Sequence, residues 1–186
     1  MKKLFIKLMG WQEQSTGPDR FHQPEVIERE LAEERRQQAM EHERERIKDQ
    51  MEKREIPSEQ EILNCYTLKT GSMLSFPAVT GGILGGASED QLKKLDDLGC
   101  SLGRWYQLVD DIKDTIGDKD SSKSVGRDAG EGRKTIVTVY GIDRARELRD
   151  KAQEETMEIL ASIQTRQHDS GLERFLRRIH AQAQKI

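Results

Sequence analysis

Leu92, Leu95, Leu98, Leu102 and Tyr106 recur at steps of three and four residues, the period of a helix that buries one face. The spacing predicts a long amphipathic helix over 89–115. Ahead of it, Ile62, Leu63, Tyr66 and Met73 carry a second helical stripe. Pro57 and Ser58 mark its start, with Glu61 three positions after the serine in capping register. Beyond the long helix, Leu148, Met157, Leu160 and Ile163 predict a helix over 144–167. Leu172, Phe175, Leu176 and Ile179 predict another over 171–184, with residues 168–171 as the break.

The polar stretches read differently. Residues 25–55 are dense in Glu, Arg, Gln and Lys, the composition of a long helix with polar faces. Glu33/Arg36, Glu41/Arg44, Glu43/Arg46, Glu45/Lys48 and Asp49/Lys53 stand at helix-surface pairing intervals. Ile27, Leu31, Ile47 and Met51 are too sparse for a sustained heptad seam. A solvated helix or charged arm is therefore expected. Residues 1–11 join Lys2, Lys3 and Lys7 to Leu4, Phe5, Leu8 and Trp11, a pattern suited to a short interfacial helix and thus to peripheral contact with a membrane. Lys7 interrupts the apolar run, no small-residue cleavage pattern follows and no segment is apolar for long enough to span a bilayer, so a cytoplasmic chain is expected. Gly17-Pro18 and Gln23-Pro24 act as breakers. The expected organisation is a basic and apolar segment 1–24, a charged helical arm 25–56 and a helical domain 57–186.

Composition narrows the function classes. The 186 residues suit one domain with an extension. A net charge of −3 with intermixed signs argues against nucleic-acid binding. Cys65 and Cys100 have no Cys or His at ligand spacing and read as reduced core thiols, and the four histidines form no metal-ligand pattern.

The chemistry concentrates at the end of the 89–115 helix. Asp110, Asp111 and Asp114 form a DDxxD pattern. Asp110 and Asp114 share a face, Gln107 lies one turn earlier on nearly the same face, and Asp111 sits beside it. Such an oxygen-rich patch suits magnesium, which keeps several waters and is held by one or two carboxylates together with substrate phosphates. In a chain with 35% charged residues, three aspartates also occur at solvated helix ends; the flanking elements favour the metal reading. Lys69-Thr70-Gly71 precedes the motif, and Lys123 and the run Gly130-Glu131-Gly132-Arg133-Lys134-Thr135 follow it.

In that order and spacing, these elements resemble the trans-type isoprenyl diphosphate synthases, the prenyltransferase family that includes farnesyl and geranylgeranyl diphosphate synthases. Lys69-Thr70-Gly71 looks like the family's lysine-threonine motif, Tyr106 to Asp114 like its second aspartate-rich motif, and Lys123 to Thr135 like the loop that follows. The resemblance covers about residues 57–186, roughly the C-terminal half of such an enzyme. It implies an all-α fold: the C-terminal half of an isoprenoid-synthase-type helical bundle, preceded here by a long charged helix. It implies that Lys69, Thr70, Lys123 and Arg133 bind the diphosphate of an allylic isoprenyl substrate. Gln107 would lie near the reacting prenyl carbons, and Asp110, Asp111 and Asp114 would hold Mg2+. The implied reaction is condensation with isopentenyl diphosphate in isoprenoid biosynthesis.

The departures from the family pattern shape the expectation. No DDxxD motif occurs in residues 1–68, where glutamates alternate with arginines, and those residues leave no room for the helices that carry the first motif. Arg133 stands where the family usually has lysine, and Ile136-Val137 replace an aromatic-proline pair. The expectation is a prenyltransferase that is incomplete alone and works as a homo- or hetero-oligomer, because a half-bundle leaves an apolar face to cover. The alternative is a non-catalytic partner or regulatory subunit, or a degenerate paralogue acting as a helical interaction module.

Overall fold

The computed structural model describes residues 24–53, 56–116, 130, 132–163, 177 and 181. Residues 1–11, Lys123 and most of the helix expected over 171–184 lie outside that set. Among the described residues every regular element is helical: α1 Pro24–Lys53, α2 Glu59–Tyr66, a π-helical turn Thr67–Gly71, α3 Ser72–Gly85, α4 Glu89–Ile116, α5 Ile136–Tyr140 and α6 Ile142–Ser162.

Local signals fix most of the boundaries. Ser58 accepts the Glu61 amide through its hydroxyl while the Glu61 carboxylate accepts the Ser58 amide, so α2 opens on a reciprocal cap. At the far end of α3 the chain turns through Gly86, whose φ of 76° places it in the left-handed region. There Gly86 N–H bonds Ile83 O at 3.0 Å and Ala87 N–H bonds Gly82 O at 2.9 Å, closing the helix in a Schellman arrangement. Ser88 and Gln91 then cap α4 reciprocally.

α4 is the central helix. It packs against α3 on one side and α6 on another, and its end reaches the π turn and α5. Its stripe begins with Leu92, Leu95, Leu98 and Leu102 as expected, and continues through Trp105, Leu108, Val109 and Ile112. Tyr106 is 44% exposed, whereas Trp105 is fully buried. The expected stripe is therefore corrected by one position, because steps of three carry the apolar face past Tyr106. Met73 is likewise exposed, and α3 is buried through Ser75, Val79 and Ile83.

α6 faces α4 with smaller side chains than its leucines suggest. Ala145, Leu148, Ala152 and Thr156 are buried, whereas Met157 is exposed. Thr156 donates to the Ala152 carbonyl and accepts the Ser101 hydroxyl at 2.9 Å across the interface, so two fully buried hydroxyls satisfy one another.

The charged helix forms where expected but is not solvated along its length. Ile47 and Met51 enter the main core beside Ile62, Tyr66 and Trp105. Glu33 is buried; it pairs with Arg36, which bonds both oxygens of Asp96 on α4. Ser75 on α3 donates to the same carboxylate. A polar junction thus joins three helices where apolar residues are scarce. The surface pairs Glu41–Arg44 and Glu43–Arg46 form, while Glu45 meets Arg44 and Lys48 meets Glu52. Among the described residues no helix is long and apolar enough to cross a membrane.

Candidate functional site

The site depends first on how closely two helices approach. A Cβ on Gly103 would lie 2.3 Å from both Cα and N of Gly71, and one on Gly99 would lie 2.4 Å from Cα and N of Ser75. Only glycine allows these backbones to touch. Gly99, Gly103, Gln107 and Asp111 follow at intervals of four, one row of α4 that runs down α3 onto the π turn.

The π turn holds the lysine-threonine motif. One residue more per turn loosens the helix, and such single turns recur at functional sites. Hydroxyls take up part of its hydrogen bonding: Ser72 donates to the carbonyls of Leu68 and Lys69, and Thr67 donates to Leu63. Tyr66 and Thr70, four residues apart across this turn, both reach α4.

A continuous chain of hydrogen bonds follows. Thr70 donates to the Gln107 side-chain carbonyl at 3.0 Å. The Gln107 amide donates to Oδ1 of Asp111 at 3.1 Å, and the Tyr66 hydroxyl donates to Oδ2. Tyr66 in turn accepts the backbone N–H of Ile136 at 3.0 Å, at the start of α5. Asp111 is 2% exposed. A polar side chain buried this far from water needs such donors to offset its desolvation.

The three aspartates therefore have different surroundings. Asp110 is exposed, Asp114 is half-buried on the next turn, and Asp111 points inward to Tyr66 and Gln107. Gln107, expected nearly on the face of Asp110, contacts Asp111 instead. Lys69 is exposed on the π turn. Arg133 is exposed beyond it, and Lys134 donates to the Met51 carbonyl at 2.8 Å, tying the segment before α5 to the end of α1. Thr135 caps α5. Lys123 lies outside the described residues. Tyr66 and Gly103 were missed as site residues. Their signals were a tyrosine three positions before Lys69 and a glycine pair at a four-residue step within a leucine stripe.

Among the described residues no group of three or more His, Cys, Asp or Glu converges to enclose a metal ion. Asp110 and Asp114, one turn apart on one helix face, nonetheless fit magnesium, since that ion keeps several waters and shares its shell with substrate phosphates.

Comparison with known proteins bears on the family and the fold. The sequence model of the polyprenyl synthetase family matches residues 6–177. The chain therefore belongs to the polyprenyl synthetase family. The match takes in α1, so the likeness begins well before residue 57, where the motifs alone placed it. A geranylgeranyl diphosphate synthase of Saccharolobus solfataricus is 38% identical over 91 residues, covering 48% of this chain and 27% of that protein. A short chain isoprenyl diphosphate synthase of Methanothermobacter thermautotrophicus is 33% identical over 106 residues, covering 56% of this chain and 32% of that one. The solved structure of a geranylgeranyl pyrophosphate synthetase from Pyrococcus horikoshii superposes with a TM-score of 0.73 at 22% identity, over 84% of this chain and 59% of its own. That likeness is one of fold: the helices here correspond to part of a larger all-α synthase bundle.

Proposed function

We propose that this member of the polyprenyl synthetase family binds an allylic isoprenyl diphosphate with magnesium and serves the prenyl transfer that condenses it with isopentenyl diphosphate in isoprenoid biosynthesis. The observation that carries the reading is the antiparallel crossing of the π turn, which bears Lys69, with α4, where Thr70 meets Gln107 and Tyr66 meets Asp111. Asp110, Asp111 and Asp114 make up the motif assigned to magnesium, in which Asp110 and Asp114 are the carboxylates open to the ion. Bound magnesium would supply charge neutralisation on the departing diphosphate. Lys69, with Arg133 and Lys123, would add positive charge around the same phosphates, so that charge developing on the leaving group meets donors already in place. Gln107, held between Thr70 and Asp111, would be fixed next to the reacting prenyl carbons. The relatives' shared chemistry supports this assignment, although the chain spans about three-fifths of the solved synthase and the matched segments cover a third or less of the curated relatives.

The chain is proposed to work as a homo- or hetero-oligomer, in which a neighbouring subunit covers apolar helix faces. The test is calorimetric titration of the full chain with geranyl diphosphate in the presence and absence of magnesium, followed by incorporation of labelled isopentenyl diphosphate. Magnesium-dependent binding that Asp110→Ala abolishes is the expected result. Binding unchanged in Asp110→Ala would remove the site assignment.

A further inference from the structure

We propose that Asp111 and Tyr66 are positioning residues: Asp111, although part of the DDxxD motif, locks the π turn and the start of α5 onto α4, leaving Asp110 and Asp114 to face magnesium. This division rests on the allylic diphosphate site proposed above. Both Asp111 oxygens already accept side-chain donors, Tyr66 on one and Gln107 on the other, and the residue is 2% exposed. With only 2% of its surface open, Asp111 offers an ion in solvent far less than Asp110 does, whatever lone pairs those hydrogen bonds leave unused. Asp110, one residue earlier, is already exposed.

Tyr66 connects three elements through one oxygen. It stands at the end of α2, donates to Asp111 on α4 and accepts the Ile136 amide at the start of α5. Thr70 makes the second tie of the same turn to α4, through Gln107. Lys69 lies between the two ties, so its height along α4 relative to Asp110 is set by Tyr66 and Thr70. Arg133 precedes Ile136 by three residues, on the segment whose end the same hydroxyl ties to α4. One phenol thereby anchors the backbone of the two segments that carry Lys69 and Arg133.

Isosteric variants separate this role from metal ligation. Asparagine at 111 can still accept the Tyr66 hydroxyl, and its amide can bond Gln107 once the glutamine amide turns over. Asp111→Asn is therefore expected to weaken magnesium-dependent geranyl diphosphate binding at most about tenfold, whereas Asp110→Asn weakens it at least about a hundredfold. Tyr66→Phe removes a hydrogen bond to a charged group and is expected to weaken diphosphate binding about tenfold or more. The same variant should speed hydrogen exchange at the Ile136 amide about tenfold, measured by NMR well below the melting temperature. A role confined to packing would lower the melting temperature but leave the folded chain's affinity unchanged. Equal losses in Asp111→Asn and Asp110→Asn would overturn the proposal, as would Tyr66→Phe with unaltered affinity and unaltered Ile136 exchange. If Asp110→Asn itself binds normally, the site reading fails and the division of the aspartates fails with it; the Ile136 exchange still tests the Tyr66 tie alone.

Discussion

Replacing Gly103 with alanine tests the packing on which the site rests. The new Cβ would lie 2.3 Å from Cα and N of Gly71 and 2.7 Å from the carbonyl carbon of Thr70. An ordinary contact is about 3.5–4.0 Å, so the helices would have to separate by more than about 1 Å. Overpacking typically costs about 1–3 kcal/mol, and this case belongs at or above the upper end because backbone cannot rotate away. Alanine's better helix propensity returns about 1 kcal/mol. The net loss of about 2 kcal/mol corresponds to a melting temperature about 4–8 °C lower for a chain of this size. The same separation would draw the Thr70 hydroxyl, now 3.0 Å from Gln107, out of bonding range. Calorimetry and geranyl diphosphate titration read the two effects together. Gly82→Ala is the control, because its Cβ would meet Leu92 and Leu95 at 2.7 and 2.8 Å, the far ends of flexible side chains. If Gly103→Ala melts at or above the parent temperature, or loses no more than Gly82→Ala, the inference from backbone contact to site geometry is wrong.

Two further expectations concern titratable groups. Burial, reinforced by the Asp96 carboxylate, pushes the Cys100 thiol up to about 11. At pH 8 its thiolate fraction is then about one in a thousand, against about a quarter for an ordinary thiol. Its greater intrinsic nucleophilicity recovers about tenfold, so alkylation resolved by peptide mass should run roughly twentyfold slower than in the unfolded chain; equal rates would contradict the burial. Glu59 is held below the usual glutamate range by its hydrogen bonds from Arg144. Its contribution to stability is therefore present at neutral pH and lost as pH falls through that lowered value. Glu59→Gln should lower the melting temperature slightly at neutral pH and leave it unchanged in strong acid; a gap that persists in acid would show that charge is not its source.

The motifs were legible because their chemistry is fixed by residue type: three carboxylates in five positions and a lysine beside threonine announce themselves in one dimension. Their orientation was not. The α4 stripe moves from Leu102 to Trp105, a step that decides whether Tyr106 lies in or out, and no count of apolar residues settles that step. The π turn has no propensity signature; its hydroxyls at Thr67 and Ser72 are ordinary helix residues until the extra residue loosens the carbonyls they serve. α1 looked solvated because it joins the bundle partly through charged residues, Glu33 and Arg36, and its two core residues, Ile47 and Met51, stand among polar neighbours. Arg36 binds Asp96 sixty positions away, a contact that neither helix's own periodicity could indicate.

The same reasoning explains why the spacing placed Gln107 near Asp110 while the fold joins it to Asp111. Residues 107, 110, 111 and 114 all lie within about one helix face, since three-step and four-step neighbours differ only in the direction of their offset. What separates them is the neighbouring helix. Gly99 and Gly103 admit the α3 and π-turn backbone to the four-step row, so Gln107 and Asp111 are turned inward together, and Asp110 with Asp114 is left on the outer side. Two glycines without a functional group thus determine which carboxylate of a DDxxD motif meets protein and which meets solvent.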